Sequence, residues 1–280
     1  MTKILVNLLL PLLLAVGVSL EGAAFSRESM LEPRGIDNLG ADCFFNSLFQ
    51  MVMTQGVEVQ EDLCKKHPIL SDFIAAYKEN RPLSLHPLRA LLASLSGEER
   101  WLSGQQDPHE AMLILMQDVE NPCWNQIVIK KMYASADSLI SLESREPAII
   151  TSLSIPGHAC QFSELLERFR SSPVGDSILT REGIDYQLIE ETALWDHPAD
   201  QMMFQILRSR PDGIKTEVAV DVPELIELKP EDFAERSEGP IFYQLTSLIT
   251  HHGPEAGSGH YTACVSRVAE SGTSVQVSLH

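Results

Sequence analysis

Cys43 and His260 are the two side chains whose surroundings suit covalent chemistry. Cys43 ends the glycine-bounded run Gly35-Ile36-Asp37-Asn38-Leu39-Gly40-Ala41-Asp42 and opens Phe44-Phe45-Asn46-Ser47-Leu48-Phe49-Gln50. Phe44, Phe45, Leu48, Phe49 and Val52 recur at helical spacing, which sets Cys43 in the first turn of a helix. Unpaired N–H groups and the helix dipole favour a thiolate there. Asn38, five residues upstream, is placed to aim its amide at a developing oxyanion, with the Cys43 backbone N–H as the second donor. His260 follows Gly257-Ser258-Gly259 and begins the strand-like Tyr261-Thr262-Ala263-Cys264-Val265. A thiol needs a distant base brought to it by the fold, and these segments read as the two halves of such a pair. Gly259 lets backbone approach a substrate closely, and Tyr261 is expected beside it in the substrate channel. His251 and His252 are rival bases. His260 is preferred because a strand end holds a side chain more rigidly than a loop.

The elements that must position this pair fall into two halves. From Cys43 to about Tyr133 the pattern is helical, with further helices expected at residues 68–78 and 86–95. Another opens at Asp107-Pro108-His109-Glu110, with Asp as N-cap, Pro in the first turn and Glu three residues after the cap. After Ser144 the chain reads as strands, at residues 148–155, 201–208, 215–222, 241–249, 261–267 and 274–278, around one helix at 163–169. The expected class is α+β: a helical lobe over about 33–140, then a mostly antiparallel β lobe over 145–280, with a cleft between them.

At 280 residues the chain suffices for one large domain or two modest lobes. A net charge of −18 argues against nucleic acid, which recruits Lys and Arg to displace counterions, and favours a basic partner or simple solubility. The five cysteines, Cys43, Cys64, Cys123, Cys160 and Cys264, include no C-x-x-C pair, so neither a zinc ribbon nor a disulfide framework is expected. The apolar run Ile4–Leu20 follows Lys3 and precedes the small residues Gly22, Ala23 and Ala24. Residues 1–25 therefore read as a signal peptide, with a retained membrane anchor through residues 4–20 as second reading and a core helix as third. The catalytic domain is then 26–280.

The cysteine segment resembles the cysteine box of ubiquitin-specific proteases, G-[L/I]-x-N-x-G-x-T-C-x-x-N-S-x-x-Q. His251-His252-Gly253 through Gly259-His260-Tyr261-Thr262-Ala263-Cys264-Val265 resembles their histidine box. Gln106-Asp107-Pro108-His109-Glu110 matches their Q-D-x-x-E segment, and Ile206-Leu207-Arg208 with Lys215 and Val222-Pro223-Glu224 is similar to a strand pair of that family. The likeness covers roughly residues 33–280. It implies a papain-like thumb and palm, with the C-terminus of ubiquitin threaded between them. By analogy Cys43 is the nucleophile, His260 the general base and acid, and Asn38 the oxyanion donor. Asp107 would hold the basic tail of ubiquitin while also capping its helix. The activity implied is hydrolysis of the bond after ubiquitin's terminal glycine through an acyl-thioester, by a monomer, with no cofactor or metal.

Several positions depart from the pattern. Asp42 stands where the family has Thr, and its charge beside the sulfur would oppose a thiolate. Zinc-binding finger cysteines are lacking, so short or absent fingers, or metal-free ones, are expected. Residues 261–280 contain no Asp or Asn to orient the imidazole, and Ser278 is nominated in that place. These departures support an alternative from another class, a catalytically impaired binder of ubiquitin or a ubiquitin-like protein. A third reading is a secreted papain-like peptidase. The leader suggests a secreted bacterial protein delivered into a host cell, or alternatively a membrane-anchored protein facing the cytosol.

Overall fold

The computed structural model describes residues 3–9, 35–36, 38, 41–55, 57–117, 119, 125–171, 176–208, 216–253, 259–268 and 274–279. At 3–9, 57–58, 125, 266–268 and 274–279 it describes the backbone alone. Strand β1 (Lys3–Leu9) comes first. Helices α1 (Cys43–Val52), α2 (Val57–Lys66), α3 (Pro68–Lys78), α4 (His86–Ser96) and α5 (Pro108–Met116) follow, with a 3-10 turn at Glu99–Leu102. Next come β2 (Asn125–Ala134), β3 (Leu139–Ala148), β4 (Thr151–Ser154), β5 (Cys160–Gln161) and α6 (Phe162–Arg170). The chain continues through β6 (Ile178–Arg181), β7 (Ile184–Trp195), β8 (Gln201–Leu207), β9 (Val220–Asp221) and β10 (Leu225–Leu228). Strands β11 (Ile241–His252), β12 (His260–Val268) and β13 (Ser274–Leu279) end it.

Nine of the ten residues of α1 are buried, so it is enclosed on all sides. The other helices show why they start and stop where they do. Pro68 and Pro87 stand in the first turns of α3 and α4, where a missing N–H costs nothing. Gly97 ends α4 in the left-handed conformation, at φ 72°. Asp107 caps α5 by accepting from the His109 N–H at 2.9 Å.

The main sheet runs β13-β12-β11-β1-β8-β4, with β10 also paired to β11. One core joins the helices to this sheet through Met203, Ile249 and Tyr261. A second lies between the sheet and α6, around Trp195, Phe204 and Tyr243. Helix α1 packs against both β12 and β11, which lays the start of the helix along the strand that begins at His260.

A separate four-stranded sheet, β3-β2-β7-β6, corrects one expectation. Strand β2 lies in the stretch read as helical. Its Lys130-Lys131 pair interrupts the strand-like pattern, and those side chains instead meet Glu143 at 3.9 Å and Glu191 at 3.3 Å across the strands. Strands β2, β3 and β7 of this sheet are ten to twelve residues long. Elsewhere, the strand expected over 215–222 contracts to β9, and residues 209–215 lie outside the described residues.

The apolar N-terminal run takes part in the main sheet. Over Lys3–Leu9 it pairs antiparallel with β8 on one side and β11 on the other, with Ile4 opposite Ile206 and Leu5 opposite Ile249. Residues 10–34, which hold most of the segment read as a leader or an anchor, lie outside the described residues. Among the described residues no helix is long and apolar enough to cross a membrane.

Deleting residues 1–9 removes both ladders. The melting temperature is expected to fall by roughly 10 °C or more, since each kcal/mol lost is worth a few degrees in a domain of this size. An unchanged melt by circular dichroism would show that β8 and β11 close without β1.

Candidate active site

The packing of α1 on β12 brings Cys43 and His260 to one pocket, which Gly35, Asn38, Gln50 and Tyr261 also line. Cys43 is 5% exposed, and His260 is half-buried at the mouth of its strand. The two halves inferred from sequence therefore share a cleft, although they lie 217 positions apart in the chain.

Asn38 is oriented by its own loop. Its Oδ1 accepts the Asp42 backbone N–H at 3.1 Å. Since an N–H can only donate, the carbonyl end of the carboxamide is fixed at that contact. The NH2 end is then the one presented elsewhere, as an oxyanion donor requires. Asn46 secures the same loop by donating from Nδ2 to the Ile36 carbonyl at 3.0 Å. The Asp42 side chain makes no capping bond to α1, so it does not take up the first-turn N–H groups, which remain suited to an anion.

Asp42 corrects the expectation drawn from its charge. Its carboxylate neither caps the helix nor stands uncompensated beside the sulfur. It forms an ion pair with Arg89 Nε at 2.7 Å, with the side chains 14% and 7% exposed. Sequence spacing gave no sign of this partner, which lies on another helix.

His251 and His252 are both engaged. His251 is buried, and its ring lies 4.5 Å from that of Tyr261. The Gln105 side-chain Nε2 lies in hydrogen-bond contact with its Nε2 at 3.2 Å. His252 stands opposite His260 in the strand register, with its Nε2 2.9 Å from Thr262 Oγ1. Gln105, absent from the sequence-based set, adjoins the Gln106–Glu110 segment and was findable only as its neighbour.

The two residues expected to face substrate are shaped first by their own neighbours. Gly259 has φ 136°, and a Cβ there would lie 2.1 Å from the His252 carbonyl oxygen and 2.7 Å from His251 Nε2. Only glycine fits against these strands. Tyr261 is buried against His251 while also lining the pocket. Burial, then the nearby charges of Asp107 and Cys43, push its phenol above the ordinary range. Asp107 is half-buried at the head of α5, where it caps its helix; its charge reaches Tyr261, but it is not among the residues that line the pocket.

Ser278 is not brought to His260. In the β12–β13 ladder it sits opposite Cys264, and Ala263 is opposite Leu279. His260 is thus four residues away along the strand, about 13 Å at the usual rise. The Ser278 side chain lies outside the described residues. Among the described residues no group of His, Cys, Asp and Glu could hold a metal ion.

The chain is similar to several known proteins. Residues 34–274 match the family model described as ubiquitin carboxyl-terminal hydrolase. The mouse (Mus musculus) ubiquitin carboxyl-terminal hydrolase 17-like protein E is 21% identical over 279 residues, covering 82% of this chain. The chain spans about half, 48%, of the length of that curated relative. The fold is similar to a chain of the SAGA Ubp8/Sgf11/Sus1/Sgf73 DUB module bound to ubiquitin aldehyde. That match has a TM-score of 0.66 and 14% identity, over 88% of this chain and 65% of that one. It is also similar to a chain of the SAGA DUB module in a variant form bound to monoubiquitin, with a TM-score of 0.67 and 14% identity over 91% and 68%.

Two substitutions probe the site. Gly259→Ala is expected to lower the melting temperature by roughly 5 °C or more, because strain and a backbone clash coincide. A wild-type melt would contradict the close packing against His251. Ser278→Ala is expected to leave turnover of a ubiquitin–fluorophore substrate unchanged, and a clear loss would show that β13 slides to another register.

Proposed function

The chain belongs to the ubiquitin carboxyl-terminal hydrolase family, and from that premise we propose that it is a cysteine-type deubiquitinase acting at the glycine that ends ubiquitin. The observation that carries this reading is that Asn38, Cys43 and His260 line the same pocket. In the first step the Cys43 Sγ attacks the terminal glycine carbonyl while His260 takes the thiol proton. The Asn38 amide and the Cys43 backbone N–H hold the negative oxygen that develops. His260 then gives its proton to the leaving amine, the C–N bond breaks, and an acyl-thioester remains on Cys43. Water, deprotonated by His260, hydrolyses the thioester and frees both the thiol and the ubiquitin carboxylate. Asp107, at the head of α5 and near Tyr261, is suited to the basic residues of the substrate tail.

The N-terminal run has two uses that exclude each other within one molecule. A leader would be removed and an anchor would lie in a membrane, whereas a retained segment is available to pair in the sheet. With Lys3–Leu9 paired to β8 and β11, the reading supported here is a segment retained by the active domain. N-terminal sequencing of the protein from its native setting tests it, and a start near residue 25 would restore the exported form.

A propargyl-terminated ubiquitin probe tests the chemistry. Covalent capture is expected, and Cys43→Ala is expected to abolish it. Asn38→Ala is expected to lower kcat on a ubiquitin–fluorophore substrate by about 10²–10³, the usual cost of one oxyanion donor. Tight binding of the probe without capture would overturn the enzyme reading in favour of a ubiquitin-binding protein.

A further inference from the structure

Arg89, on α4, is buried and lies 47 residues from Asp42. Its guanidinium makes four hydrogen bonds. Nε donates to Asp42 Oδ1 at 2.7 Å, and Nη1 to the Trp101 carbonyl at 3.0 Å. Nη2 donates to the carbonyls of Ala41 at 2.8 Å and Gly104 at 3.0 Å. The cation also stands 5.0 Å from the centre of the Phe44 ring. Ala41 and Asp42 are the two residues that precede the nucleophile. Trp101 and Gly104 lead into Gln105, which contacts His251, and then into Asp107. A planar fork of donors is suited to hold several oxygens at once, which a single ammonium does less well.

We propose that Arg89 is a positioning residue of this active site, locking the turn before Cys43 to the loop before Gln105 and neutralising the carboxylate of Asp42, the residue that precedes the nucleophile. The inference rests on the reading of Cys43 as the nucleophile. It accounts for how an acid is tolerated next to that residue: the acid is one half of the clamp. Removing Arg89 alone strands a negative charge next to Cys43, which disfavours the thiolate. Removing the acid as well lifts that penalty but leaves the two loops untied. Among the described residues, His260 and Tyr261 from β12 line the same pocket as Cys43, and Tyr261 in turn meets His251 of β11 and feels the charge of Asp107 at the head of α5. They are the same in every variant, so differences between variants report on the Asp42–Arg89 pair.

The test is alkylation of Cys43 by iodoacetamide in the full chain, measured against pH and read by mass spectrometry on the peptide that contains Cys43. In Arg89→Gln the rate curve is expected to move to higher pH, with alkylation at neutral pH slowed about tenfold. Arg89→Lys restores the charge, so its curve returns most of the way. Its kcat on a ubiquitin–fluorophore substrate stays below wild type because the fork is gone. In the double variant Asp42→Asn with Arg89→Gln, the curve returns toward wild type. A residue that merely supported the fold would produce no such return. The proposal is overturned by a folded Arg89→Gln protein with a wild-type curve, or by a double variant no closer to wild type than the single. Should Arg89→Gln not fold, Asp42→Asn alone decides: its curve is expected to move to lower pH, and a move upward overturns the clamp. Alkylation needs no ubiquitin, so a wild-type chain that never turns over ubiquitin substrates would defeat the deubiquitinase reading, while these curves still judge Arg89.

Discussion

The contact of helix α1 with strand β12 is the interaction on which the site depends. Cys43 and His260 sit at the ends of these two elements, and neither could be placed by local sequence alone. The contact is strong because α1 is apolar on almost every side. Phe44, Phe45, Leu48 and Phe49 are all at most 1% exposed, and each such side chain contributes about 1.5–3 kcal/mol on burial. On the sheet side Ile249 and Tyr261 receive the helix. The thermodynamics of the core and the geometry of the chemistry are thus set by the same residues.

Polar contacts add direction to that packing. Hydrophobic burial fixes the distance between helix and sheet, but it is indifferent to small rotations of the loops above. Asn38 is turned by the Asp42 N–H, the preceding loop is held by Asn46, and His251 is braced by Gln105. Each bond contributes little to net stability, but each fixes which way its side chain faces. The Asp42–Arg89 pair belongs to the same class, with the further feature that both members carry charge away from water, where a lone partner is costly.

The parts of this arrangement that were legible in the sequence are those with a local cause. Helices α3, α4 and α5 announce themselves by periodicity, by proline in the first turn and by the cap at Asp107. Strands β8, β11, β12 and β13 show as apolar runs between turn residues, and the boxes around Cys43 and His260 carry their own chemistry. What was hidden depends on pairing at a distance. The second sheet is mostly exposed along β3, so its alternation is diluted by charge. The separation of Ser278 from His260 follows from the β12–β13 register, which the connecting turn decides and residue types do not reveal. Arg89 reads as an ordinary helical arginine until the fold brings Asp42 to it.

Strand β1 carries a consequence for how the molecule is assembled. Its ladder partners, Gln201–Leu207 and residues 244–249, are made about two hundred residues later in the chain. During synthesis an apolar segment must therefore wait, unpaired, until nearly the whole domain has left the ribosome. Contacts of such long sequence separation form slowly and leave sticky backbone edges open in the meantime. The two ladders that seat β1 in the main sheet therefore close only after β8 and β11 have been made.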